Sequence, residues 1–262
     1  MSRKHHWHRQ SDLFFVALGF FTRIPMPSWV EVDGDKLNQA SRYFGLVGLC
    51  IGLCCAFVFW LSQLWLPAGV AVLLAMIAGV LLTGGFHEDG LADTADGFGG
   101  GWCVADKLSI MKDSRLGTYG ALALVLALLL KWQLLVELAL YAPMVAVWAL
   151  VLGHCLSRVL AASIIFTETY VRDDDSSKSR PLAQTQGIDE LLILLATGLL
   201  LLLCLNGVVA FALLIALWLI RCLLVALFRR QIGGYTGDTL GAAQQLAELG
   251  CYLVLLAMGN AL

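Results

Sequence analysis

The sequence predicts an all-α membrane protein: a polytopic helical bundle of about seven spans, plus an N-terminal interfacial or re-entrant helix. Three observations carry that expectation. Of the 262 residues, 60% are hydrophobic and only 14% are charged, whereas soluble domains are usually nearer half apolar and a quarter charged. Mean hydropathy is +0.82. Several stretches approach the roughly 20 apolar residues that a helix needs to cross a bilayer, and once they alternate across it, every long polar segment falls on one side.

The N-terminal run 12–22 is too short to span comfortably. It follows a basic start but leads to no small-residue cleavage site, and Arg23, Pro25 and Pro27 interrupt it, so it reads as an interfacial helix and not as a signal peptide. Spans are expected at 43–66, 68–86, 118–139, 141–166, 190–206, 207–228 and 246–262. Pro67-Ala68-Gly69 and Asn206-Gly207 supply tight hairpins between neighbours. No internal repeat or low-complexity linker divides the chain, so residues 1–262 read as one integral membrane domain, of which 1–42 form a polar N-terminal segment.

The polar segments are 1–42, 87–117, 167–189 and 229–245. They hold all but three of the 17 Lys and Arg, the exceptions being Lys131, Arg158 and Arg221. Positively charged loops face the cytoplasm, which places these segments there. Lys131 and Glu137 sit awkwardly in the third span. A net charge of −2 without a long basic tract argues against nucleic acid. The eight cysteines contain no CxxC pair and mostly lie in apolar runs, so neither a zinc site nor a disulfide framework is expected.

Chemistry concentrates in three segments. In Gly84 to Gly97, Asp89, Asp93 and Asp96 recur at i, i+4 and i+7, which places them on one helical face. Such a face repels itself unless water or a cation neutralises it, and oxygen-only donors suit Mg²⁺, Mn²⁺ or Ca²⁺. A solvated acidic helix start is the plainer explanation. His87, at the head of this run, reads as a general base or as a structural histidine. Lys112, Ser114 and Arg115 surround a second segment whose glycines permit close phosphate approach; a membrane anchor explains the same cations. Gly233 to Ala242 offers Thr236, Gly237 and Asp238 at a turn before the last span, as a helix cap or a phosphate contact. Arg158, in mid-span, is a further candidate because a buried Arg usually faces the bundle interior. Arg221 lies closer to its span's end and can snorkel. No HExxH, GxSxG, GxGxxG or P-loop pattern occurs.

These residues resemble the cobalamin synthase family, the adenosylcobinamide-GDP ribazoletransferases. The resemblance rests on Phe21-Thr22-Arg23-Ile24-Pro25-Met26-Pro27, on Gly84 to Gly97, on Met111 to Gly120 and on Gly233 to Ala242. The family patterns GGxHxDGLxDxxDG, DSRxGxxG and GGxTGDxxGA are filled at every fixed position, in order, across nearly the whole chain. Asp173 to Ser177 and the histidine-rich start fall outside it. The resemblance implies a polytopic enzyme that joins adenosylcobinamide-GDP to α-ribazole or its 5′-phosphate, releases GMP and requires Mg²⁺. On that reading Glu88, Asp89, Asp93, Asp96 and Asp238 are the metal-site acids. His87, Asp93 and Arg115 are catalytic. Arg23, Lys112, Ser114, Arg158, Thr236 and Gly237 contact substrate phosphate. The partners are the two substrates and the lipid bilayer; the oligomeric state stays open, a homo-oligomer included.

Two other classes were weighed. A phosphotransferase acting on CDP-activated alcohols would also use aligned aspartates, but its DGxxAR and GxxxDxxxD pattern is missing. A transporter would use Arg158, Lys131 and the acids as an ion path, but no inverted repeat or paired broken helices are visible.

Overall fold

The computed structural model describes residues 3–32, 34–171 and 185–259, and side chains from residue 9 onward. The segment Asp173 to Ser177 lies outside the described residues, as do Arg172, Lys178 and Arg180. The described chain is helical: α1 (Arg3–Phe21), α2 (Gly34–Ala40), a 3₁₀ turn (Ser41–Tyr43), α3 (Phe44–Ser62), α4 (Ala68–Thr83), α5 (Phe86–Gly100), α6 (Val104–Ile110), α7 (Thr118–Tyr141), α8 (Pro143–Thr167), α9 (Ile188–Leu202), α10 (Gly207–Ile232) and α11 (Gly237–Ala257).

Local chemistry sets the breaks. Pro67 precedes α4, and Pro143 opens α8, where its missing N–H costs nothing. The Asn206 side chain accepts the Val208 N–H at 2.9 Å and starts α10. Gly233, at φ 80°, closes that helix in the left-handed conformation. Helix α8 runs through the middle of the bundle, buried almost throughout from Ala146 to Ile165, with α3 and α11 packed along it. A helix buried all round must be apolar on every face, which its sequence allows except at His154, Ser157 and Arg158.

All seven predicted apolar stretches are helical, but the count of spans changes. Among the described residues, five helical stretches are long and apolar enough to cross a membrane, and six if α4 and α5 are taken together. By itself α4 has 16 residues and α9 has 15. The predicted loop 229–245 is mostly helix: α10 runs on to Ile232 and α11 starts at Gly237, leaving a four-residue turn. The polar residues after it, Gln244 and Gln245, are buried in the bundle. The expected helix at 12–22 extends back to Arg3.

The break between α4 and α5 creates the site. Gly84 (φ 71°) and Gly85 (φ 74°) both adopt the left-handed conformation, which only glycine takes routinely. Across them the chain bends by 86°. Helix α5 therefore leaves the direction of α4 and crosses the starts of α7 and α11, touching both.

Candidate active site

Two polar regions lie on opposite faces of α5. The first is an open cavity of about 620 Å³. Asp89 and Asp93 line it from α5, Phe20, Thr22 and Arg23 from the end of α1 and the residues after it, and Ser114 from the segment before α7. Asp89 is exposed and Asp93 half-buried. They lie one helical turn apart, so both carboxylates face the same space. The Arg23 N–H donates to Leu82 O at 2.8 Å, and its guanidinium lies over Gly84, where an added Cβ would meet Nε at 2.5 Å.

Asp96 shares that helical face but not the cavity. The Gly117 N–H donates to Asp96 Oδ2 at 2.7 Å and the Gly120 N–H to Oδ1 at 2.8 Å. Both oxygens cap the N-terminus of α7, where orphan N–H groups and the helix dipole favour an anion. The i, i+4, i+7 spacing thus placed three carboxylates correctly on α5, but α7 covers the last of them.

The second region is buried and was largely invisible in the sequence. Lys131 of α7 pairs with Glu248 of α11 at 3.1 Å. Glu248 also accepts from Tyr252 OH at 2.7 Å and from Gln244 Nε2 at 2.8 Å, and it lies 3.7 Å from His154 Nε2. Gln244 Nε2 reaches Ser157 Oγ at 2.9 Å. Arg158 donates from Nη1 to His154 O at 2.8 Å. Gln245 donates to Glu88 Oε1 at 3.0 Å and accepts from Lys131 Nζ at 3.3 Å. A cavity of about 20 Å³ lies among His87, Glu88, Lys131, His154, Arg158 and Glu248. Of these residues the sequence singled out His87, Glu88, Lys131 and Arg158, but nothing in it joined them. Glu248 sat in the expected last span; the usable signal was that it and Lys131 are opposite charges in apolar runs, which in a membrane are expected to pair.

Comparison with known proteins shows the family. The model of the cobalamin-5-phosphate synthase family, CobS, matches residues 13–256. The chain belongs to that family. It is 71% identical over 262 residues, all of both chains, to a protein of Shewanella baltica (strain OS185) named adenosylcobinamide-GDP ribazoletransferase. It is 72% identical over 259 residues, 99% of each chain, to the protein of that name from Shewanella frigidimarina, and 69% identical over the whole length of both chains to that of Shewanella oneidensis. No solved structure matches.

The structure distributes the residues of the family motifs unevenly. Arg23, Asp89, Asp93 and Ser114 meet in the open cavity. Lys112 and Arg115 are exposed on the segment that carries Ser114. Arg115 donates to Asp113 from Nε at 3.0 Å and from Nη2 at 2.5 Å, and these hydrogen bonds hold the Asp113 carboxyl below its usual pKa. His87 is buried, stacked on Phe21 at 5.4 Å, and faces the inner cavity with Glu88 and Arg158. Thr236 is the N-cap of α11 in a reciprocal capping box with Thr239 (3.2 and 2.8 Å). Gly237 and Asp238 form the first turn of that helix.

Among the described residues no three His, Cys, Asp or Glu side chains converge closely enough to hold an ion alone. Mg²⁺ does not require that. It usually takes one or two carboxylates and completes its shell with water and substrate phosphate, and Asp89 and Asp93 beside an open cavity are a donor set of that kind.

Proposed function

We propose that this chain is an adenosylcobinamide-GDP ribazoletransferase of the bacterial cytoplasmic membrane, with the open cavity between α5, Arg23 and Ser114 as its active site. The observation that carries the assignment is the pairing of Asp89 and Asp93 with Arg23 and Ser114 around one space, in a chain about 70% identical to relatives of that name over its full length. The gathering of Lys and Arg at the α5 end of the bundle supports a cytoplasmic site.

In the reaction a hydroxyl of α-ribazole, or of its 5′-phosphate, attacks the phosphorus attached to cobinamide, and the bond to GMP breaks. Such transfers depend mostly on positioning and charge stabilisation. Asp89 and Asp93 would hold Mg²⁺, which would supply neutralisation of the diphosphate charge. Arg23 binds a phosphate oxygen from the opposite wall, held there by its backbone bond to Leu82 and its seat on Gly84. Ser114 donates a hydroxyl to the same group. Lys112 and Arg115, at the mouth, draw the anionic substrate inward. The attacking hydroxyl's proton passes to Asp93, the half-buried carboxylate of the cavity; His87 faces the other way. Arg158, Glu88 and Asp96 support this site from below and behind, outside the cavity.

The test is turnover by purified protein in nanodiscs. With adenosylcobinamide-GDP, α-ribazole phosphate and Mg²⁺, GMP and a cobamide product are expected, and both should vanish with EDTA. Folded protein that forms neither product would overturn the assignment.

A further inference from the structure

We infer that Gln245 is a positioning residue: through Glu88 it sets the rotation of α5 and so aims Asp89 and Asp93 into the open cavity. This rests on the active site proposed above.

Two consecutive left-handed glycines turn α5 away from the direction of α4, so its rotation depends on its packing. Besides the contacts of Phe86 and His87 with α1, three points on α7 and α11 hold it. At its far end Asp96 caps α7. In its middle Gly90 lies against the α11 backbone, where an added Cβ would stand 2.8 Å from Asp238 O. At its first turn Gln245 holds Glu88. Successive helical residues point about 100° apart. Drawing Glu88 inward therefore swings its neighbour Asp89, and Asp93 one turn on, to the cavity side.

Gln245 is itself held firmly. Its carbonyl oxygen accepts from Lys131, and its amide nitrogen donates to both Glu88 and Gln244. The side chain is 3% exposed. Lys131 and Gln244 are in turn bound to Glu248. The Gln245 amide is satisfied at both ends, which resists its rotation and fixes which end faces α5. Glu88 thus meets a donor whose place is decided by α7 and α11 together. Gln245 and Glu248 lie beyond the last family motif read from the sequence, and Glu88 lies within the first; the bond between them links two segments 157 residues apart.

The experiment exchanges the two functional groups. Gln245→Glu turns a carboxylate toward Glu88 and removes the donor. Glu88→Gln keeps an acceptor for Gln245. The double variant, Glu88→Gln with Gln245→Glu, restores a donor–acceptor pair with the roles reversed. In nanodiscs, Gln245→Glu is expected to lower kcat at least about tenfold with little change in KM for adenosylcobinamide-GDP, Glu88→Gln to cost about threefold or less, and the double variant to recover most of the loss. Mn²⁺ binding, titrated by the free-ion EPR signal without substrates, should weaken in Gln245→Glu and return in the double variant. That arm reads the placement of the carboxylates even if the substrates assigned above are wrong. Melting temperature, followed in parallel, should not track the activity pattern. Equal loss in Glu88→Gln and in the double variant would make the Glu88 carboxylate itself the active group and overturn the inference. Failure of the double variant to recover while Glu88→Gln stays active would overturn it as well.

Discussion

The two faces of α5 carry the same kinds of residue under opposite conditions. On one, Asp89 and Asp93 meet Arg23 and Ser114 around about 620 Å³ of open space. On the other, Glu88 joins Lys131, Arg158, His154 and Glu248 around about 20 Å³. In the buried region opposite charges lie against each other and amides fill the gaps, so the desolvation cost is offset inside the protein. In the open region Asp89 and Asp93 border a space large enough for a ligand. Charge in a membrane protein serves architecture where it is mutually paired and chemistry where it is left accessible; here one helix separates the two by its rotation.

The largest effect that would sharpen this contrast is expected from Asp93→Asn. It should abolish measurable turnover while the variant still inserts into the membrane; retained turnover would remove Asp93 from the mechanism. Gly90→Ala tests the wall between the two regions. The new Cβ would press on Asp238 O at 2.8 Å and on Gly241 Cα at 3.1 Å, and displacing α5 by a fraction of an ångström should cost turnover up to about a hundredfold while lowering stability only modestly. An unaffected rate would mean that α5 tolerates repositioning.

Glu248→Gln addresses the buried side. It leaves Lys131 without its anion, which should destabilise the protein by about 3 kcal/mol, seen as a lower melting temperature in detergent. Adding Lys131→Met should recover most of that loss. If the single variant melts like the parent, the buried pair contributes little. The smallest effect is expected from Asp113→Asn, which frees Arg115 at the cavity mouth. Its hydrogen bonds to Arg115 hold the Asp113 carboxyl below the usual carboxylate range. A depressed carboxylate pKa gives an interaction that is complete above the unfolded value and fades only as pH falls through the folded one. Across about pH 6 to 9 the variant should therefore change activity by one constant factor, well under tenfold, and a factor that drifts with pH in that range would contradict the pairing.

Much of the fold was legible because lipid imposes a simple rule: apolar runs of sufficient length become helices. All seven predicted runs are helical. The boundaries were less so, because Gln244 and Gln245 look like an aqueous approach to the last span and are in fact packed inside the bundle beside Glu248. Their partners, Lys131 and Glu88, are more than 100 residues away in sequence, and no local pattern joins them. The acidic run was legible as a helical face; its division into Asp89 and Asp93 toward the cavity, Asp96 onto α7 and Glu88 onto α11 depends on neighbours that periodicity does not name. His87 stood beside the acids in the chain and, by one residue's rotation, faces away from them.

The shortness of α4 reaches beyond the protein. Ending at the paired glycines after 16 residues, it rises about 24 Å, against about 30 Å for a typical hydrocarbon core. The 15 residues of α9 rise still less. A bilayer meets helices this short by thinning locally, by snorkelling of flanking side chains or by helix association. Acyl-chain length is therefore expected to be a variable of the rate, and turnover in nanodiscs of thin and thick lipids would show it.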